Sequence, residues 1–556
     1  MYPDYMMESI RKVEATRPQR LAIAKKMGKQ VFPSMTEDER EHILTTYHPD
    51  YKKDARKELR IGPNKGEMIT NEVVDIMESY PRYKSSDLDL SKVDYEVDVL
   101  VIGAGSAGLA AALEAGKRGV KTLLVTKLRL GDSNSMMAQG GIQAADQSDD
   151  SPTLHYLDVI GGGHFDNKKD LVEALVMDAP KSIKWLEDLG VMFDKNEDGS
   201  MMVKSGGGTC RNRMHSTRDY TGAGICRVLR DELYSNGGDI KYLEYVSATD
   251  LIMDDKGQVA GAIIYHIELK EYFIIKAKTV IIATGGFGRL HIRNFETTNH
   301  YGATGDGLVI GYRAGANMLF MDSVQYHPTG AVFPEQIVGF LCTEKVRSLG
   351  AQPINHDGEL FVYPLEPRDV EASSFIRECE EGRGVSTPSG LKGIWLDSPL
   401  IDQIMGEGTI EKNLPAMLRQ YQRFDIDIRK YPMLVFPTLH YQNGGLEINA
   451  KAETTIPGLY VAGEASGGVH GRNRLMGNSQ LDIIVFGRRA GINAAEKVLA
   501  GIELGKLTLK HLDDYSKEVE KLGIDKKRIS PLILPDYIPD HIKAKQMTQE
   551  YLGTLV

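Results

Sequence analysis

The sequence predicts an α/β fold, parallel strands joined by crossover helices, and three observations carry that prediction. First, YEVDVLVIGAG (95–105) reads as a buried strand running into a tight turn, SAGLAAALEAGKRG (106–119) as a helix with small residues on its strand-facing side, and VKTLLVTK (120–127) as the next strand. Strand, helix and strand in that order make a βαβ unit. Second, AKTVIIATGGFG (277–288) repeats the pattern of an apolar strand ending in a glycine turn. Third, IPGLYVAGEA (456–465) does so again, and FGRRAGINAAEKVLAG (486–501) follows as a helix.

Taken in order, the chain opens on a different kind of sequence. Residues 1–95 are rich in Lys, Arg, Glu and Met, and EDEREHILTTYH (37–48) and NEVVDIMESY (71–80) have the period of amphipathic helices. This extension reads either as a helical arm packed on the body or as a docking surface for a partner subunit. SSDLDLSKVD (85–94) looks like a linker. Residues 96–304 then form the first part of a nucleotide-binding domain, with a long helix expected over LVEALVMDAPKSIKWLEDLG (171–190). Mixed patterning over 305–432 marks an inserted second domain. Residues 433–500 return to the first domain, and 501–556 form a short polar, Lys-rich tail with proline stops at Pro531 and Pro535. No repeat of fixed period is visible.

Composition excludes several functions. The 556 residues carry a formal charge of −10, whereas a phosphate-binding surface would be basic, so nucleic acid is not expected as a partner. The four cysteines form no C-x-x-C pair, which argues against a resident iron–sulfur cluster or structural zinc. Scattered cysteines suit a reducing compartment. The first thirty residues lack the apolar core of a secretory signal, and no run of about 18 apolar residues could span a bilayer. A cytoplasmic protein is expected.

Gly103-Ala-Gly105-Ser106-Ala107-Gly108 stands between the first strand and helix, which is the context that gives a GxGxxG run its meaning. Gly103 permits the turn, Gly105 lets backbone approach a pyrophosphate, and Gly108 allows close helix–strand packing, with the helix N-terminus compensating charge. The second strand ends in Thr126-Lys127 rather than the carboxylate that would hold an NAD ribose, which disfavours plain NAD binding. Glu464, directly after another strand, is suited to accept ribose or ribitol hydroxyls. Three strand-end glycine sites, at Gly103, at Ala283-Thr284-Gly285 and at Gly463, could converge on one long dinucleotide, which favours FAD.

Further stretches are similar to one family, the flavoprotein subunits of succinate dehydrogenase and fumarate reductase, with L-aspartate oxidase as a relative. They are MAQGGIQAA (137–145), RDYTG with Asp219, TGDG (304–307), QYHPTG (325–330), CTEKVR (342–347), EPRD (366–369), HYQNGG (440–445) and HGRNRLMGNS (470–479). The match runs from about Val97 to Ala500, leaves the N-terminal arm outside, and shortens the family's C-terminal helical domain. The resemblance implies an FAD-binding Rossmann-type domain, three-layered, with an inserted α+β capping domain over the flavin. It implies that Lys127, Gln139, Gly140, Gly141, Asp219, Asp306, Glu464 and Ser479 line the FAD together with the three glycine turns. The family's covalent His falls at Asn134, so the FAD is expected to be noncovalent, which favours the reducing direction.

By the same resemblance His327, Thr343, His440 and Arg474 would bind a dicarboxylate, fumarate or succinate. Arg368 would donate the proton, and Glu344 and Arg347 would relay it. The pair is spaced to share one helical face if the stretch is helical. Arg472 departs from the family pattern and is expected to be structural or to stand behind the substrate ligands; Leu349 departs as well. Electrons would come through an iron–sulfur partner subunit, with further complex or membrane-anchor subunits. The alternatives are an L-aspartate oxidase, a flavin reductase of another activated alkene, and a non-catalytic flavin-binding or electron-relay module.

Overall fold

The computed structural model describes residues 2–535, apart from Lys29 and Asp239. Helix α1 (Asp4–Met27) buries Met6, Ile10, Val13 and Ala24 along one face, the spacing of an amphipathic helix. Helix α2 (Glu37–Tyr47) opens on a capping box in which Thr36 and Glu39 satisfy each other's backbone N–H. Helix α3 (Asn71–Met77) sends Val73, Val74, Ile76 and Met77 into the largest core. The extension is therefore helical, and it is packed on the body.

Strand β1 (Tyr95–Ile102), helix α4 (Ser106–Gly116) and strand β2 (Thr122–Val125) form the βαβ unit. Helix α5 covers Lys169–Asp188, close to its expected span. Strands β3 (Lys241–Leu243), β4 (Val246–Asp254), β5 (Val259–His266) and β6 (Glu271–Ile282) complete the main sheet except for its late arrivals. Helix α6 (Asp306–Arg313) and strand β7 (Val324–Ala331) lead into the insertion, followed by α7 (Arg368–Glu380), β8 (Lys392–Leu396) and β9 (Met433–Gln442). Strand β10 (Leu459–Val461), helix α8 (Asn478–Leu499) and helix α9 (Lys510–Lys521) close the described chain.

The main sheet runs β4-β5-β6-β1-β2-β3, edged at β4 by Leu507–Thr508, with β10 also on β6. Contacts β6–β1, β1–β2, β2–β3 and β6–β10 are parallel, while β4, β5 and β6 meander antiparallel. Parallel strands covered on both faces must be apolar throughout, and β2 is buried at every residue. Two glycines set how closely the first turn packs. Gly103 has φ +108°, and a Cβ there would lie 2.3 Å from Ala283 O; a Cβ on Gly108 would lie 1.8 Å from Gly103 O.

The insertion has its own antiparallel sheet, β7-β9-β8 with Pro353–Ile354 beyond β8. Its core includes Trp395, Phe375, Tyr421 and the inward face of α1. Strand β9, expected to fall after the domain boundary at residue 432, is hydrogen-bonded into this sheet on both sides. Helix α6, expected inside the insertion, buries Leu308, Val309 and Ile310 in the large core instead. The cap sheet thus extends from Val324 to Gln442, because β7 needs β9 as its partner. Of the expected C-terminal tail, residues 501–535 hold α9, whose Tyr515 hydroxyl donates to Met77 O (2.7 Å). Residues 536–556 lie outside the described residues.

Candidate active site

One long cavity runs from the carboxyl ends of the parallel strands to the underside of the cap. That is where ligands bind in open α/β sheets. At one end lie Thr126, Lys127 and Val246–Ala248. Lys127 Nζ spends its donors on Thr304 Oγ1 (2.7 Å), Asp306 Oδ2 (2.7 Å) and the carbonyl of Ile533 (2.8 Å). Lys127 and Asp306 therefore meet as an ion pair on the cavity wall, with the end of the described chain folded over them. Gly103, Gly105 and Ala107 follow, and the N-termini of α4 and α8 open onto the cavity through Gly105 and through Gly477, Ser479 and Gln480. Gln139, Gly140, Gly141, Ala283, Thr284, Gly285 and Glu464 line the middle.

The middle also carries polar atoms with no protein partner. Gln139 Oε1 and Gln480 Oε1 are buried on this wall and unpaired. Burial pushes the Glu464 carboxyl up to about 7, against hydrogen bonds from Gln442 N and Asn134 that pull it down. Unpaired buried polar groups along a glycine-walled slot fit a polar ligand of dinucleotide length. Asn134 is fixed there: its Nδ2 donates to Asn299 Oδ1 (2.8 Å) and lies 3.4 Å from Glu464 Oε2, and its Oδ1 accepts from His300 N.

Under the cap the wall becomes cationic. Arg368, at the first position of α7, and Arg474 are 7% and 3% exposed. Both donate to one acceptor, Gln325 Oε1, at 3.0 Å and 2.9 Å. Gln325 is itself oriented by Asn473 Oδ1 (3.0 Å) and Arg474 O (2.7 Å), which its amide nitrogen contacts. The Arg474 guanidinium stacks over Tyr441, 4.5 Å from the ring centre. Burial beside Arg368 pulls its pKa down to about 9. Burial likewise lowers Arg368, against the support of Glu344.

His327 on β7 and His440 on β9 stand with ring centres 4.9 Å apart. His327 Nδ1 accepts from Thr329 N (3.2 Å), and His440 Nδ1 pairs with Thr298 Oγ1 (2.7 Å). Burial and the nearby guanidiniums hold both imidazoles neutral. Thr343 and Glu344 complete this end. Glu344 Oε2 accepts from Arg368 Nε (2.8 Å), and Oε1 accepts from Gly207 N (2.9 Å). Burial would raise this carboxyl, but Arg368 and Arg347 outweigh it and hold it below its ordinary value. Arg347 lies behind, 3.5 Å from Glu344 Oε2, on the same short helical turn.

Four expected site residues stand off the cavity wall. Ser106 and Gly108 sit within α4, Gly108 serving its packing. Arg347 stands one residue back from the cavity. Asp219 corrects the expectation that it lines the flavin: its Oδ2 accepts from Ala416 N (2.9 Å) and Met417 N (3.1 Å), capping the helix Pro415–Gln422. A buried carboxylate there satisfies orphan N–H groups at a helix start. Arg472, expected to be structural or to stand behind the substrate ligands, bridges Asp166 (2.7 Å) and Asp322. Gln325 opens the QYHPTG motif, where sequence gives it no role; only tertiary contact reveals that it joins the two arginines.

Among the described residues no cluster of His, Cys, Asp or Glu is placed to hold a metal, and no helix is long and apolar enough to cross a membrane. The four cysteines are unpaired.

Comparison with known proteins fits this geometry. The FAD binding domain family model matches residues 98–480. The CoM/CoB fumarate reductase of Methanothermobacter marburgensis has a subunit 39% identical over 73% of this chain and 74% of its own. A fumarate reductase flavoprotein subunit of Mycobacterium tuberculosis is 35% identical over 72% and 70%. Among solved structures, the FrdA chain of E. coli quinol fumarate reductase superimposes with TM-score 0.68 at 30% identity, covering 77% of this chain and 74% of that one.

Proposed function

Because the chain belongs to the fumarate reductase and succinate dehydrogenase flavoprotein-subunit family, an FAD-dependent oxidoreductase family, we propose that it reduces fumarate to succinate on a noncovalent FAD. The observation that carries the reading is the pair of buried guanidiniums, Arg368 and Arg474, joined through Gln325 and opposed by one ionised carboxylate, Glu344. Such a site carries net positive charge in a low-dielectric wall and suits a small dianion.

The residues would divide the work as follows. Arg474 and Thr343 hold the substrate carboxylates, with the neutral His327 and His440 donating hydrogen bonds from their free ring nitrogens. When bound, FAD supplies the hydride. Arg368 donates a proton to the neighbouring carbon. An arginine is ordinarily too weak an acid for that task. Here burial lowers its pKa, and Glu344, 2.8 Å from Nε, is placed to restore the proton. Arg347 stands behind Glu344 as the next group of the relay. Asn134 offers an amide where a flavin bond would need an imidazole, which supports noncovalent FAD. Electrons would arrive through an iron–sulfur subunit, since several relatives are named as subunits and this chain shows no cluster site among its described residues. The site would then face the cytoplasm, with any membrane contact made by partners.

The test is a viologen-linked assay with fumarate beside dye-linked oxidation of succinate. Fumarate reduction faster than succinate oxidation is expected, and Arg368→Gln should lower kcat by at least about 10³ with flavin content unchanged. Release of ammonia and peroxide from L-aspartate, with no reduction of fumarate, would instead place the chain with L-aspartate oxidase, a relative at 34% identity.

A further inference from the structure

Behind Glu344 the structure holds a second buried carboxyl, Glu371, one turn along α7 from Arg368. Its side chain is fully buried, as is that of Arg347. Arg347 Nη1 donates to Glu371 Oε2 and to the carbonyl of Pro364 (2.7 Å), and the other guanidinium arm reaches toward Glu344. Arg347 is thus clamped between two carboxyls, Glu344 on the substrate side and Glu371 on the far side. Glu371 Oε1 has no hydrogen-bond partner, and neither have Arg347 Nε and Nη2, so the cluster has unspent donors and acceptors.

Resting on the reading of this site as a dicarboxylate reductase, we propose that Glu371 is a positioning residue that carries the proton resupplying the relay Arg347–Glu344–Arg368. Two guanidiniums face two carboxyls, but they are shared unequally. Glu344 receives Arg368 directly and Arg347 at longer range, and it is held ionised. Burial raises Glu371 well above the ordinary range, and the negative charges of Glu344 and Glu366 add to that against the pull of Arg347 and Arg368. From α2, Arg40 reaches this neighbourhood only through Glu366, with which it pairs at 2.7 Å. Paired carboxyls pushed in opposite directions mark a proton acceptor and a proton donor.

The protons balance in one concerted shift. Arg368 gives its proton to substrate carbon and recovers one from Glu344. Glu344 takes one from Arg347, and Arg347 takes one from Glu371. One proton then enters from solvent at Glu371 for each turnover, and every other group returns to its starting state. Water comes close: Tyr363, Leu365, Glu366 and Pro367, which flank the Pro364 whose carbonyl bonds Arg347, line a surface cleft of about 780 Å³. Glu371 thus supplies Arg347 with a second carboxyl from the neighbouring helix.

The experiment compares holoenzyme carrying Glu371→Gln and Glu371→Asp with the wild type. An infrared difference spectrum of wild type against Glu371→Gln at pH 7 should show the C=O stretch of a protonated carboxyl; its absence overturns the proposal without reference to any substrate. In the viologen-linked assay, Glu371→Gln should lower kcat about tenfold with KM unchanged and abolish the alkaline limb of the wild-type profile, while Glu371→Asp retains that limb. A Glu371→Gln profile parallel to that of the wild type, even with a lower melting temperature, means that Glu371 only packs and overturns the relay alone. A wild type inactive toward both fumarate and succinate overturns the reading of the site, and the relay with it.

Discussion

At the scale of single residues, Glu464 offers the sharpest pH dependence. Its carboxyl, buried among Gln442 N, Asn134 and the glycine turn, has a pKa of about 7. A raised carboxyl binds its proton more tightly in the folded state. The stability it contributes is therefore present at low pH and lost as pH rises through 7, so the apoprotein should soften over that interval. FAD reverses the sign. With Glu464 accepting flavin hydroxyls, as its place after the strand suggests, binding would favour the ionised form, so flavin affinity should rise with pH up to about 7, by nearly tenfold per unit below it. Titrating apoprotein with FAD by fluorescence from pH 5 to 8 checks this, and Glu464→Gln should flatten the curve. A wild-type curve already flat would mean that Glu464 makes no such contact. Residues of this kind are legible in sequence because they end strands in glycine turns. Gln325 and Glu371 are not. Each reads as an ordinary polar residue in its segment, and its meaning lies in partners distant in sequence. Asp219 misleads for the same reason, since nothing in RDYTG reveals the helix start that it caps.

At the scale of elements, the βαβ unit and the later strand–turn repeats are legible because buried parallel strands leave uninterrupted apolar runs. The cap is harder to bound. Strand β9 looks like the start of the returning domain until β7 is seen to need it as an antiparallel partner. The pairing of α4 with α8 is invisible as well, although it sets the floor of the cavity. The helices cross at bare backbone: a Cβ on Gly487 would lie 2.6 Å from Ala107 O, and one on Gly491 2.2 Å from Ala111 O. Both helices present their N-termini to the same cavity, so their separation fixes where two sets of unpaired N–H groups point. Gly491→Val should push α8 off α4, costing about 1–3 kcal/mol and weakening FAD retention. Differential scanning fluorimetry with and without added FAD checks it; an unchanged melting point would show that the crossing relaxes freely.

At the scale of the whole molecule, the groups proposed to bind and protonate the substrate come from two bodies. His327, Thr343, Glu344, Arg368 and His440 belong to the cap sheet and the segments packed on it, while Arg474 and the glycine turns belong to the large domain. The N-terminal arm spans both. On the cap, Trp395 Nε1 donates to Ser9 Oγ (2.9 Å), and the fully buried Asp397 carboxylate binds Arg17 (2.8 Å) and Arg20 (2.9 Å) of α1. At the joint, Asp50 Oδ2 accepts from Val324 N (2.8 Å) and Asn64 exchanges two hydrogen bonds with Met318, after which α3 enters the large core. An arm anchored on both sides limits how far the cap can swing. The sequence shows the arm's helices but not this duty, because the apolar face of α1 does not say which surface covers it. Asp397→Ala removes the carboxylate from two nearly buried arginines and leaves their charges uncompensated, a loss of about 3–5 kcal/mol. The expected outcome is faster hydrogen exchange in α1 and β8 with β1 and β2 unchanged, and a dicarboxylate KM raised severalfold while FAD stays bound. Exchange that rises equally in both sheets would mean that the arm stabilises the molecule as one body and places no particular hold on the cap.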